Sequence, residues 1–147
     1  MKRLHVSLAV SDLTESTRFY SAMFGSQPTM EREGYAQWEL EDPSVNFVIE
    51  SSATKRGLTH MGVQASDEAE LAEQYARVAA TEHEVLDQGE TQCCYAKSTK
   101  NWVSDPDGLP WETFLTHSRT DEFGEPFVPE AASEPTREQS RERARCC

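Results

Sequence analysis

An internal repeat constrains this chain more than any other feature of its sequence. Residues of identical type recur at a constant spacing of 55 positions, as His5 and His60, Ser11 and Ser66, Asp12 and Asp67, Glu15 and Glu70, and Tyr20 and Tyr75. Because the spacing holds across a strand-like segment, a helix cap and a helix, it indicates duplication of a whole supersecondary unit. The chain is therefore predicted to contain two similar modules.

The first copy has the pattern of a strand, a helix and three strands. Apolar and polar residues alternate over residues 4–10, which predicts a strand with His5 facing away from the aliphatic side chains. Asp12 and Glu15 are spaced as a helix cap and its third residue, and Gly25 suits the left-handed end of that helix. Further strands are predicted at residues 29–32, 35–41 and 45–49.

The second copy repeats this beginning and ends in Glu112. A helix is predicted over residues 68–82, and strands over residues 84–87, 94–104 and 111–116, with a turn at 105–108. The predicted fold class is α+β, with two βαβββ modules at about 1–52 and 57–117 within one domain. Residues 118–147 are predicted to form a flexible polar tail that ends in Cys146 and Cys147.

Charge and length limit the partners of the chain. Its 147 residues carry a net charge of -12 at pH 7, which argues against nucleic acid or an anionic membrane and favours a small molecule or a cation. The start of the sequence lacks the apolar stretch of a signal peptide, and no segment is long enough to span a bilayer. We therefore expect a cytoplasmic protein, monomeric or homodimeric, whose four cysteines are reduced.

Three residues predict a metal site. His5 and His60 occupy equivalent strand positions of the repeat, and Glu112 lies in the last predicted strand. Two imidazoles and one carboxylate suit Fe(II), although Zn, Mn or Ni is also compatible. The alternative for either histidine alone is a half-buried polar residue, and Glu50 or Asn46 is available as a fourth ligand.

The adjacent thiols of Cys93 and Cys94 predict capture of a thiophilic element. Neighbouring strand positions point to opposite faces, so a loop or a bulge is needed for both sulfurs to reach one atom. The alternative is a buried pair of small apolar side chains. Lys97 and Lys100 are close enough in sequence to lower the pKa of a thiol. Four aromatic residues are candidates for a pocket wall or for plain core: Tyr95, Trp102, Trp38 and Phe114.

Two segments resemble the vicinal oxygen chelate superfamily, which includes glyoxalases, bleomycin-resistance proteins and dioxygenases. They are residues 5–25, with Asp12 before a helix that ends at Gly25, and residues 105–108 before the strand that carries Glu112. The resemblance covers about residues 2–116. It implies that the two modules form a curved mixed sheet around a metal cavity.

A more particular resemblance rests on residues 90–96 and 1–6. These segments are similar to the organoarsenical carbon-arsenic lyases and the related cadmium-induced proteins. The resemblance implies an Fe(II)-dependent dioxygenase-type lyase that releases arsenite from trivalent organoarsenicals such as methylarsenite, with dioxygen as co-substrate. It implies that His5, His60 and Glu112 hold iron, and that Cys93 and Cys94 hold arsenic.

Tyr95, Lys100 and Trp102 complete the predicted substrate site. Two alternatives stay open at this point. One is a thiol protein that sequesters arsenicals or cadmium without turnover, and the other is a glyoxalase-like metalloenzyme in which the cysteines are incidental.

Overall fold

A computed structural model describes residues 1–124 and 127–129, apart from the side chain of residue 123. It contains seven strands and two helices within these residues. In chain order they are β1 Arg3–Val10, α1 Leu13–Phe24, β2 Met30–Arg32, β3 Tyr35–Glu41, β4 Ser44–Ser51, β5 Gly57–Ala65, α2 Glu68–Ala79, β6 Val85–Ser104 and β7 Pro110–Gly124.

All seven strands form one sheet in the order β2-β3-β4-β1-β5-β7-β6. The pairs β1/β4 and β5/β7 are parallel, whereas β1 and β5 pair antiparallel at the centre. This arrangement relates the two halves of the sheet by an approximate twofold axis between β1 and β5, and the sheet curls into a half-barrel. The predicted α+β fold with two modules in a curved mixed sheet is confirmed.

Both helices begin at the predicted caps and cover the convex face of the sheet. The Asp12 carboxylate accepts a hydrogen bond from the Glu15 amide at 2.9 Å, and Asp67 does the same for Glu70 at 2.8 Å. Gly25 ends α1 with a φ of 63°. Two apolar clusters lie under the helices: Ala36, Trp38, Val45, Phe47 and Ile49 with partly buried residues of β1 and α1, and Ala65, Leu71 and Leu115 with Tyr75.

The opposite, concave face carries the polar half of each alternating pattern. His5, Ser7 and Ala9 of β1 are buried and line a cavity, and Asn46, Val48 and Glu50 of β4 continue the same wall. Glu112, Phe114 and Thr116 of β7 form the wall on the other side of the twofold axis. The helices therefore cover the convex face of the sheet, and the residues that line the cavity lie on the concave face.

The end of the second module differs from the sequence prediction in two respects. The strands predicted at residues 84–87 and 94–104 lie within the single strand β6. Strand β7 continues past the predicted boundary at residue 117 to Gly124, because Ser118 and Arg119 pair with Lys97 and Ala96 of β6. Cys146 and Cys147, predicted to end a flexible tail, lie outside the described residues. Neither described helix has the length and apolar character that crossing a membrane requires.

Candidate metal and thiol site

The antiparallel register of β1 and β5 brings the two repeat histidines together. His5 pairs with Gly62, and Ser7 pairs with His60, so the histidines are diagonal neighbours on one face of the sheet. Their Nε2 atoms are 3.1 Å apart. Strands β1 and β5 are equivalent in the repeat and pair about a twofold axis. The histidine of one strand therefore lies beside the histidine of the other.

Glu112 completes a buried group of three ligands. Its Oε1 lies 3.2 Å from His5 Nε2 and 3.5 Å from His60 Nε2. Donor atoms that share an ion at metal distances of about 2.1 Å are themselves separated by about 3.0 to 3.4 Å. The three residues are each at most 8% exposed and form the group of potential metal ligands found among the described residues.

The outer nitrogen of each imidazole has a hydrogen-bond acceptor. His5 Nδ1 lies 3.1 Å from the carbonyl oxygen of Asn46, and His60 Nδ1 lies 3.1 Å from Thr59 Oγ1. Thr59 donates its own proton to the carbonyl oxygen of Ser7 at 3.0 Å, which leaves its lone pairs available to His60. Both rings are therefore held as the Nδ1–H tautomer, with the Nε2 lone pairs directed at the metal position. Burial lowers the pKa of His5 to about 4, which keeps it neutral at pH 7.

Gly62 provides the space between these ligands. A Cβ atom there would lie 2.5 Å from the Glu112 carbonyl oxygen and 2.8 Å from its Cγ. Any other residue would push β7 away from β5 and move the carboxylate. The close approach of the two strands is therefore a condition for the three-ligand geometry.

Lys100 holds the second oxygen of the carboxylate. Its Nζ lies 3.0 Å from Glu112 Oε2, and both side chains are buried. Burial opposes the charge on each group, but the mutual attraction outweighs it, so the pKa of Glu112 falls and that of Lys100 rises. The pair fixes an ionised carboxylate with Oε1 turned towards the histidines.

The structure supplies no fourth protein ligand within the described residues. Val48 pairs with Ser7 as Glu112 pairs with Gly62, so Val48 occupies the position that the twofold axis relates to Glu112. The side chain of Asn46, one predicted candidate, is engaged by Gln37 and by Gln64. Glu50, the other, lies at the thiols. A bound ion would keep open coordination positions on the side of the first module.

The thiols and the three ligands line the same cavity. It has a volume of about 720 Å³, and its walls include His5, His60, Glu112, Cys93 and Cys94. Lys100 links the two groups electrostatically, because it pairs with Glu112 and its charge also acts on both thiols. The thiols and the potential metal ligands therefore face one shared space.

A bulge in β6 brings the two sulfurs together. Cys94 has a φ of 55°, in the left-handed region that only a small fraction of non-glycine residues adopt, and the register with β7 shifts between Cys94 and Ala96. The two Sγ atoms are 3.3 Å apart, and both face the cavity. The predicted requirement for a loop or bulge is met by this backbone distortion.

The two thiols differ in pKa. The S–H of Cys94 stabilises a thiolate on Cys93, and with the Lys100 charge it lowers the pKa of Cys93 to about 6 despite burial. The same contact, together with burial, raises the pKa of Cys94. At neutral pH the pair therefore contains one thiolate and one thiol.

The other residues singled out in the sequence fall into two groups. Tyr95 and Trp102 line the cavity, and the Trp102 ring lies edge-on to His60 at 5.2 Å. Phe114 also lines it and contacts His5 at 5.3 Å. Elsewhere lie Trp38, which is buried beneath α1, and Lys97, which is exposed.

Three residues have roles in the site that the sequence predictions do not include. Thr59 precedes His60, and a hydroxyl beside a predicted ligand is a usable signal for an outer hydrogen bond. Gly62 is recognisable only once β5 and β7 are known to be parallel neighbours. The contact between Glu50 and Cys94 joins positions 44 residues apart and depends on the bulge.

Comparison with known proteins agrees with this fold. Residues 2–113 match the family described as Glyoxalase/Bleomycin resistance protein/Dioxygenase superfamily. A trivalent organoarsenical cleaving enzyme of Bacillus sp. (strain MD1) is 34% identical, with 100% of this chain and 99% of that protein covered. The cadmium-induced protein CadI of Mycobacterium tuberculosis is 32% identical, with 84% and 82% covered.

Solved structures share the fold at lower identity. A homoprotocatechuate 2,3-dioxygenase from B. fuscum has a TM-score of 0.59 at 18% identity, covering 82% of this chain and 34% of that one. An Mn(II)-bound glyoxalase from Novosphingobium aromaticivorans has a TM-score of 0.56 at 17% identity, covering 83% and 43%. The same scaffold thus occurs in proteins with different reactions.

Proposed function

We propose that this chain, which belongs to the Glyoxalase/Bleomycin resistance protein/Dioxygenase superfamily, cleaves the carbon-arsenic bond of trivalent organoarsenicals such as methylarsenite. The reaction uses Fe(II) and dioxygen and releases arsenite. One observation carries the proposal: the Cys93 and Cys94 sulfurs share a cavity with His5, His60 and Glu112. The similarity to proteins named as trivalent organoarsenical cleaving enzymes supports it.

The three ligands fit an iron ion. Two imidazoles and an ionised carboxylate converge with spacings of 3.1 to 3.5 Å, and the position related to Glu112 is the apolar Val48. Bound Fe(II) would supply the activation of dioxygen that the protein side chains cannot provide. His5, His60 and Glu112 are the residues proposed to hold it.

The thiols bind and orient the substrate. Arsenic in the trivalent state exchanges hydroxide for thiolate, and two thiolates on one atom form a chelate whose second bond is intramolecular. Holding arsenic at Cys93 and Cys94 leaves its carbon substituent free to extend into the cavity towards the three ligands. Positioning of this kind lowers the barrier by fixing the reacting groups before the reaction.

The cavity walls control what surrounds the bound substrate. Trp102, Phe114 and Tyr95 present aromatic surface to it, which favours an apolar substituent on arsenic and excludes water from it. Lys100 keeps the Glu112 carboxylate in place and acts electrostatically on the thiols. These residues are proposed to be part of the substrate site.

The test is aerobic and anaerobic turnover of the iron-loaded protein. Purified protein with Fe(II) and trivalent methylarsenite is expected to release arsenite only when dioxygen is present. Cys93→Ser with Cys94→Ser, and separately Glu112→Ala, should abolish release, whereas the matched pair Cys146→Ser with Cys147→Ser should retain it. Arsenite release without dioxygen, or in the Cys93/Cys94 double variant, would contradict the proposal.

Sequestration is the second candidate, because two sulfurs 3.3 Å apart are sufficient to bind a thiophilic atom without a metal centre. The similarity to proteins named cadmium-induced supports it. It predicts stoichiometric binding of methylarsenite that is independent of Glu112, with no arsenite formed after long aerobic incubation.

A further inference from the structure

The two thiols differ in the charged groups around them. Cys93 lies in the field of the Lys100 ammonium, which favours its thiolate. Cys94 Sγ lies 3.6 Å from Glu50 Oε1, so Glu50 is a second acceptor for the S–H that Cys94 otherwise donates to Cys93. Glu50 is on the cavity-facing side of β4, two residues beyond Val48, so its carboxylate faces the bulge from the other half of the sheet.

We propose that Glu50 is the base that removes the Cys94 proton when a trivalent arsenical is captured. The inference rests on the proposed function, since it assigns a role within thiol capture of that substrate. Glu50 is in direct hydrogen-bond reach of the proton, which is the first requirement for a general base.

Capture then proceeds in two unequal steps. The Cys93 thiolate attacks arsenic in R–As(OH)₂ and forms the first As–S bond, and the displaced hydroxide takes a proton from solvent and leaves as water. Cys94 forms the second bond as its proton passes to the Glu50 carboxylate. Glu50 returns that proton to the second departing hydroxide, which also leaves as water. Arsenic stays trivalent throughout, and Glu50 ends as a carboxylate.

The other charged and titratable groups near Cys94 are unsuited to this role. Burial and the neighbouring Cys94 raise the pKa of Tyr35 well above its usual value, so its hydroxyl stays protonated. Arg119 acts on Tyr35 as a cation, and Lys100 is a cation paired with Glu112. Cys93 accepts the Cys94 hydrogen bond but is consumed by the first As–S bond. Glu50 is the carboxylate that contacts Cys94 among the described residues.

The substitution Glu50→Gln distinguishes a general base from a group that acts only through its charge, because the two roles predict opposite effects on the rate of capture. The negative charge of Glu50 raises the pKa of Cys94. If Glu50 acted only through this charge, Glu50→Gln would favour a second thiolate and speed capture. If Glu50 accepts the proton, the same substitution slows formation of the second bond.

The experiment uses full-length, metal-free protein in which Cys146→Ser and Cys147→Ser remove the second adjacent thiol pair of the sequence. Anaerobic conditions ensure that turnover does not contribute. Trivalent methylarsenite is mixed with the protein at pH 7, and the growth of As–S ultraviolet absorbance is followed by stopped flow. Glu50→Gln is expected to slow the second phase about 100-fold, at the lower end of general-base contributions. The final stoichiometry of one arsenical per chain should be unchanged, and an unchanged circular-dichroism spectrum would show that the variant is folded.

Two controls make the assignment specific. Glu39→Gln removes another cavity carboxylate, which pairs with Arg119 and not with Cys94, and it should leave the second phase unchanged. In a Cys94→Ser background, Glu50→Gln should have no effect on the remaining single-thiol phase. An unchanged or faster second phase in Glu50→Gln would overturn the role of Glu50, as would persistence of its effect in Cys94→Ser. Wild-type protein that fails to bind methylarsenite through both thiols would instead overturn the proposed function.

Discussion

The metal position and the thiol pair occupy one cavity but are built in opposite ways. His5, His60 and Glu112 are buried on β1, β5 and β7, and each has a hydrogen bond or ion pair that fixes its outer atom. Cys93 and Cys94 lie at a bulge of β6, an edge strand, and both are only partly buried.

This difference corresponds to two requirements. The proposed metal ligands must keep one geometry and one protonation state, which burial and the outer hydrogen bonds provide. The proposed arsenic-binding thiols must be reachable and must change protonation as the substrate binds. We therefore expect some substitutions to weaken metal binding without affecting the thiols, and others to weaken arsenical binding without affecting the metal.

Of these substitutions, Glu112→Ala is expected to have the largest effect on one region alone, the metal position. It removes a ligand and leaves the Lys100 ammonium buried without its partner, which typically costs about 3 to 5 kcal/mol of folding free energy. Iron content measured by plasma mass spectrometry should fall to background, and urea unfolding should report the loss of stability. Adding Lys100→Met should recover part of the stability but none of the iron. Iron retained at wild-type stoichiometry in Glu112→Ala would show that the ligand assignment is wrong.

Cys94→Ala should have the complementary effect. Loss of the chelate is expected to weaken methylarsenite binding by about 100-fold or more, because a second intramolecular bond contributes on that order. Anaerobic equilibrium dialysis measures this, and iron content should stay at the wild-type level. Ser98→Ala, a buried cavity residue of the same strand, serves as the control and should bind normally. Equal losses of iron and arsenical in Cys94→Ala would mean that the two regions are not independent.

Thr59→Val tests the outer hydrogen bond of His60 with little change in volume. Iron affinity should fall about 10- to 100-fold, the usual effect of losing such a partner, while thiol capture is unaffected. Thr99→Val breaks another contact between a threonine hydroxyl and an imidazole, 2.7 Å long and made to His117, and should change neither property. Competition with a chelator of known affinity gives the measurement. An unaltered iron affinity would remove Thr59 from the site.

The smallest effect concerns pH. Since the pKa of Cys93 is lowered to about 6, its thiolate fraction and its alkylation by iodoacetamide should rise about tenfold between pH 5 and pH 7. Lys100→Met should move the midpoint upwards. Peptide mass spectrometry of metal-free protein follows the modification of Cys93 separately from Cys94. A midpoint near the ordinary cysteine value of about 8.5 would contradict the proposed unequal pair.

The sequence predicts the metal region better than the thiol region for a physical reason. The constant spacing between His5 and His60 encodes a symmetric strand pairing, and symmetry brings equivalent positions together without further information. Glu112 lies near the start of β7, and the turn before this strand is recognisable from residues 105–108. The close β5/β7 approach at Gly62 requires the topology itself.

The bulge has no comparable signal. Nothing in the identity of Cys94 favours a φ of 55°, and the distortion arises from pairing with the end of β7. Residues 118–124 are polar enough to resemble a tail, yet they pair with β6, and Arg119 forms an ion pair with Glu39 at 3.0 Å. Tertiary pairing overrides composition there, which is why the contact between Glu50 and Cys94 is visible only in the folded chain.

The metal position lies where β1 of the first module pairs with β5 of the second. His5 belongs to the first module, whereas His60 and Glu112 belong to the second, so a ligand set exists only when the modules have docked. An ion that binds only the docked state contributes to stability by mass action, by about 2.7 kcal/mol at a free concentration 100 times its Kd. If the ion is the proposed Fe(II), iron limitation in a cell would lower the steady-state amount of intact protein as well as the proposed turnover. The abundance of the chain would then follow the supply of the proposed metal.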